Sequence, residues 1–210
     1  MKILFFGDSI TDMGRNRTPG GNASDYGVGY VFFVAGDLTG RDEEYEVVNR
    51  GVSGDRIVSL YMRAKPDVWA ETPDVLSVLI GINDIWHDLD GLNMGVEPDR
   101  FEKVYRMFLE ETLERLPGVK IVLMEPFVEP GAATEFNHEG FLAVKKYAQI
   151  VKSLAEEFGL FFLPLQEKFD EAAKKGRGER FLADGVHPNA AGAKLIADEW
   201  LKLFDREISR

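Results

Sequence analysis

No cysteine occurs in this chain, and only three histidines stand among its 210 residues. The first absence removes disulfides, thiolate metal sites and a cysteine nucleophile together, and leaves the redox compartment unrecorded. The second leaves His87, His138 and His187 as the whole supply of imidazole, few ligands for a two-metal site. Long apolar runs are missing too. No stretch approaches the roughly 18 residues of a membrane span. The opening Met1-Lys2-Ile3-Leu4-Phe5-Phe6 stops at Gly7-Asp8, short of the roughly 7 to 15 residues of a signal-peptide core. It reads as a core strand of a cytoplasmic protein, unless a leader has been removed. Positive charge is scarce: 25 Lys and Arg against 36 Asp and Glu leave a net charge of -11. Such a chain repels phosphate backbones and anionic bilayers, so no nucleic acid or membrane partner is expected and a neutral small molecule fits better. A homo-oligomer is left open.

What is present suits one domain spanning residues 1–210, since 45% hydrophobic and 29% charged residues are ordinary for a globular chain of this length. There is no repeat, charge block or low-complexity linker. Short runs rich in Val, Ile, Leu or Phe at 2–6, 45–49, 75–80, 119–124 and 160–164 read as strands covered on both faces. Helix-length segments separate them. At 98–116, Phe101, Val104, Tyr105, Phe108, Thr112 and Leu113 keep helical spacing until Pro117-Gly118 stops it. A second helix is predicted over 139–158, and a last one after Pro188 with Gly192, Leu195, Ile196, Trp200, Leu203 and Phe204 as its buried stripe. The alternation implies an α/β fold, a parallel sheet of five strands with helices on both faces.

Such sheets bind ligands beyond the carboxyl ends of their strands, and the chemistry-bearing residues fall there. Ser9 follows the first strand in Gly7-Asp8-Ser9, Gly54 follows the second and Asn83 the third in Gly81-Ile82-Asn83-Asp84. Asp184 and His187 lie three residues apart in Asp184-Gly185-Val186-His187-Pro188. A hydroxyl needs a base to become a nucleophile and the base needs a partner to fix its tautomer, so Ser9, His187 and Asp184 have the makings of a catalytic triad. Gly54 has no side chain to block its N–H, and the Asn83 carboxamide can donate, so both suit an oxyanion. The Gly-x-Ser-x-Gly elbow is absent: Gly51-Val52-Ser53-Gly54-Asp55 fails at its last position.

These four segments, in this order, resemble the four blocks of the GDSL esterase and lipase family, the SGNH hydrolases. The resemblance implies a three-layer α/β/α sandwich, flavodoxin-like in strand order, and a serine esterase that needs no cofactor and no metal. It also implies an oxyanion hole made by the N–H groups of Ser9 and Gly54 with Asn83. Ile10-Thr11-Asp12 with Gly14-Arg15, residues 81–86 and Met124-Glu125-Pro126-Phe127 look most like the carbohydrate esterases, notably acetylxylan esterases. That likeness implies a small acyl group, acetyl, on a sugar such as an acetylated xylo-oligosaccharide. Lipase, lysophospholipase and general carboxylesterase activities of the same family stand as alternatives.

Asp8, Arg15 and Trp86 are the candidate substrate contacts, with Asp8 also suited to positioning the turn beside Ser9 and Trp86 to stacking on a sugar ring. The polar segments 12–27, 86–97 and 125–138 are expected to form the rim. His87 and His138 sit in polar surroundings with no carboxylate at triad or metal spacing, and are placed outside the catalysis. Two readings from other classes remain. One is a metal-dependent phosphoesterase using Asp8, Asn83, Asp84, Asp184 and His187 as ligands. The other is an inactive carbohydrate-binding relative.

Overall fold

The computed structural model describes residues 1–41, 44–175 and 181–209. Five parallel strands form one sheet: β1 (Lys2–Gly7), β2 (Glu46–Asn49), β3 (Val75–Leu79), β4 (Lys120–Met124) and β5 (Phe161–Leu163). Their order across the sheet is β2-β1-β3-β4-β5, the flavodoxin-like order. Register aligns the strand ends that matter. Gly7 pairs with Leu79, Leu79 with Met124 and Met124 with Leu163, while Asn49 pairs with Phe5. All five strands therefore end along one edge of the sheet.

Side chains on a strand alternate between faces, and β1 shows what each face meets. Phe5 packs on Tyr30 and Trp200, whereas Phe6 packs on Phe108. Tyr30 begins α2 (Tyr30–Leu38), Trp200 belongs to α9 (Ala190–Leu203) and Phe108 to α5 (Pro98–Arg115), so helices cover both faces and complete three layers. The Trp200 indole N–H, buried with the ring, donates to Ser77 Oγ at 2.6 Å, which satisfies the one polar atom that burial would otherwise leave unpaired. The buried apolar residues form one continuous cluster.

The remaining helices are α1 (Ser9–Asp12), α3 (Ile57–Ala64), α4 (Ile82–Leu89), α6 (His138–Phe141), α7 (Val144–Phe158) and α8 (Gln166–Lys174). Two departures from the sequence reading bear on the site. The single helix predicted over 139–158 is broken at residues 142–143: around this point the N–H groups of Ala143, Lys145 and Lys146 reach back three residues instead of four, and that tighter turn separates α6 from α7. The segment 86–97 read as a rim loop is helical at its start, because α4 carries Trp86 and His87 and ends at Leu89. Among the described residues no helix is long and apolar enough to cross a membrane.

Candidate active site

The Asp8 carboxylate accepts from the Ile10 N–H at 3.0 Å and caps α1, so Ser9 becomes the first helical residue after β1. The first N–H groups of a helix have no intrahelical acceptor. Ser9 thus presents a hydroxyl and a free N–H at one place.

The loop after β2 lies against this turn, with the Val52 N–H donating to the Gly7 carbonyl at 2.9 Å. Gly54 in that loop has φ +84°, a conformation that a side chain would strain. After β3, Asn83 stands in the first turn of α4, buried, and donates to the Asp55 carbonyl at 3.1 Å. A carboxamide carries two N–H donors, so one remains for a ligand.

His187 arrives on the segment before α9. Its Nε2 lies 2.9 Å from Ser9 Oγ and its Nδ1 lies 2.7 Å from Asp184 Oδ2. The other Asp184 oxygen accepts from the N–H groups of Val186 (2.9 Å) and His187 (2.7 Å). This turn is held from outside, since the N–H groups of Glu129 and Ala133 donate to the carbonyls of Gly185 and Asp184 at 2.8 and 2.9 Å. Partial burial pushes the Asp184 carboxyl up, but the bonds from His187 and Val186 together outweigh it and hold the group at about 2. The carboxylate in turn raises the His187 pKa above its ordinary value, against the opposing effect of burial. An ionised Asp184 accepts a hydrogen bond from the Nδ1–H of His187, which keeps the proton on Nδ1 and leaves the Nε2 lone pair directed at the Ser9 hydroxyl.

Two of the three substrate contacts expected from sequence, Asp8 and Arg15, are buried and hold structural bonds. Asp8 is 1% exposed and turned inward as the cap of α1; burial pushes its carboxyl up to about 7, against the pull of the Ile10 N–H. Arg15 is 9% exposed, and its Nε donates to the Gly51 carbonyl at 2.8 Å. It braces the loop that carries Gly54, and burial lowers its guanidinium to about 10. Trp86 is half-buried on α4, and its ring centroid is 6.0 Å from that of His187.

Residues outside the expected set complete the surroundings. Asp12, nearly buried, accepts on one oxygen from Ser53 N–H (3.0 Å), Ser53 Oγ (2.8 Å) and Arg17 Nη2 (2.6 Å). Arg17 also donates to the Gly51 carbonyl at 2.8 Å. This clamp fixes the Gly54 loop from the α1 side. Asp12 and Ser53 are 41 residues apart in the chain, so neither spacing nor periodicity announces the pair. His87 borders the same loop, because a Cβ on Gly54 would lie 4.0 Å from His87 Cε1. It stands on α4 rather than in a polar loop, and His138 likewise begins α6. Among the described residues, no three His, Cys, Asp or Glu side chains are grouped so that they could hold a metal ion. Asp8 and Asp84 point instead at the N–H groups of Ile10 and Ile57, at 3.0 Å each.

The sequence matches the GDSL-like Lipase/Acylhydrolase family over residues 5–195. It is 37% identical over 207 residues to an acetylxylan esterase of Geobacillus stearothermophilus, across 96% of this chain and 92% of that one. A second acetylxylan esterase, from Xylanibacter ruminicola, is 27% identical over 172 residues, covering 73% of this chain and 34% of that longer protein. A crystal structure of a G. stearothermophilus acetylxylan esterase superposes with a TM-score of 0.86 at 35% identity, covering all of this chain and 96% of that one.

Proposed function

The chain belongs to the GDSL-like Lipase/Acylhydrolase family and is a carboxylic ester hydrolase, and from that premise we propose that it removes acetyl groups from carbohydrate, with acetylated xylo-oligosaccharides as its substrates. Ser9 is the nucleophile, His187 the base, Asp184 its orienter, and a single domain carries them all. The observation that carries this reading is the unbroken line from Asp184 Oδ2 through the imidazole to Ser9 Oγ, with contacts of 2.7 and 2.9 Å.

In the proposed reaction His187 Nε2 takes the hydroxyl proton as Ser9 Oγ attacks the acetyl carbonyl. The tetrahedral oxyanion receives the N–H groups of Ser9 and Gly54 and the free N–H of Asn83. Collapse breaks the ester bond, and the imidazolium returns its proton to the departing sugar oxygen. Water then repeats the sequence on the acyl-serine and releases acetate. The Asp12 clamp serves the oxyanion step by holding Gly54 still.

The sugar preference is supported by the two acetylxylan esterase relatives and by the half-buried Trp86 ring beside His187. Acetate release from acetylated xylotriose is the test. Release undiminished by a chelator is expected, and Asn83→Ala is expected to lower turnover about 10²- to 10³-fold, the worth of one oxyanion donor. Activity untouched by Asn83→Ala would refute the assignment of the oxyanion hole, and activity lost to the chelator would refute a serine mechanism that needs no metal.

A further inference from the structure

The Trp86 ring is the first of a row. It meets the Phe141 ring edge-on at 5.5 Å, and Phe141 meets Phe136 edge-on at 5.6 Å. Both separations are within the range of favourable aromatic pairs. Burial changes along the row: Phe141 is fully buried, Trp86 half-buried, and Phe136 is 55% exposed. Phe141 is therefore a fixed centre that supports one ring beside His187 and another at the surface.

The surface ring is seated, not dangling. Phe136 lies in a short 3-10 turn, Glu135–Asn137, whose last residue caps α6 through its side chain to the Gly140 N–H at 3.1 Å. The helix it caps presses on α4, since a Cβ on Gly140 would come within 2.7 Å of Leu89 Cδ2. Among the described residues Phe136 is the most exposed phenylalanine. An edge-on contact occupies one side of a ring, so Phe136 keeps an open face.

Resting on the carbohydrate reading above, we propose that Phe136 is a sugar platform: its open face stacks on the C–H face of a sugar ring in the xylo-oligosaccharide, outside the acetylated residue held at Ser9. The row connects the exposed ring to the site, because contacts of 5.5 to 6.0 Å run from His187 through Trp86 and Phe141 to Phe136. A pyranose ring presents C–H groups on its faces and hydroxyls at its rim, so it gives up little hydration when a face covers a phenyl ring. The quadrupole of the phenyl ring attracts those C–H groups.

The test compares wild type, Phe136→Ala and Phe136→Trp on 4-nitrophenyl acetate, 4-nitrophenyl octanoate and acetylated xylotriose. Phe136→Ala is expected to raise KM for acetylated xylotriose about 2- to 10-fold, the worth of one aromatic contact, with kcat unchanged. Both constants for 4-nitrophenyl acetate stay at the wild-type value, and Phe136→Trp restores the oligosaccharide KM. An unchanged oligosaccharide KM overturns the proposal, and so does an equal loss on all three esters. A loss confined to the octanoate overturns it too, by giving the ring to an acyl chain. A wild-type enzyme that cleaves 4-nitrophenyl acetate but frees no acetate from acetylated xylotriose refutes the carbohydrate reading itself, before any variant is compared.

Discussion

Ser9→Ala is expected to lower kcat for 4-nitrophenyl acetate by about 10⁶-fold while leaving the protein folded, because loss of the nucleophile of a triad costs about as much as loss of the whole triad. Among the described residues the hydroxyl has a single side-chain partner, His187 Nε2 at 2.9 Å, so its removal disturbs no other side-chain bond there. Alanine is also a good residue at the start of a helix. Steady-state rates with a matched thermal melt check both halves of the expectation. Activity retained by Ser9→Ala would move the nucleophile elsewhere. Ser53 is poorly suited to inherit the part, since its Oγ is donated to Asp12 at 2.8 Å.

Asp184→Asn is expected to cost about 10⁴-fold in kcat, the penalty of holding the imidazole in the wrong tautomer. The amide oxygen can still accept from the Val186 and His187 N–H groups, so the turn survives. The amide NH₂ would then face Nδ1 and donate to it. Nε2 would carry the proton, and the Ser9 hydroxyl would lose its acceptor. The pH profile carries a second signature. His187 must be neutral to act as a base, and the Asp184 carboxylate raises its pKa. Wild-type kcat/KM therefore rises with pH through a midpoint above the ordinary histidine value near 6.5. With Asp184 made neutral that elevation is lost, so the residual activity of Asp184→Asn has its midpoint at lower pH. A midpoint that stays in place would mean another group sets it.

The layers of this fold are legible because each strand is a short apolar run and each crossover is long enough for a helix. Phe5 and Phe6 already require cover on both faces of β1. The order of strand ends predicts that Ser9, Gly54 and Asn83 emerge on one edge, and register within the sheet requires nothing more. What the chain hides is tertiary. Asp8 and Arg15 are candidates by their place near Ser9 in the chain, and the fold gives each a structural bond as well: Asp8 Oδ1 caps α1 and Arg15 Nε braces the Gly51 carbonyl. Asp12 gains its meaning only when Ser53 and Gly51 are folded against it. The helix broken at residues 142–143 keeps an apolar pattern on both sides of the break, so periodicity runs through it unmarked. Phe136 shows no pattern at all in sequence, and the row of rings that supports it draws on α4 and α6.

The central claim is that His187 activates Ser9, and covalent capture tests it most directly. Wild type, Ser9→Ala and His187→Ala are treated with a fluorophosphonate, digested, and the phosphonylated residue located by mass spectrometry. The account predicts one adduct, on Ser9 of the wild type, forming faster as pH rises through the His187 titration. It predicts none on Ser9→Ala and a greatly slowed reaction on His187→Ala. An adduct on any other residue, or equal labelling of Ser9 without His187, would contradict it.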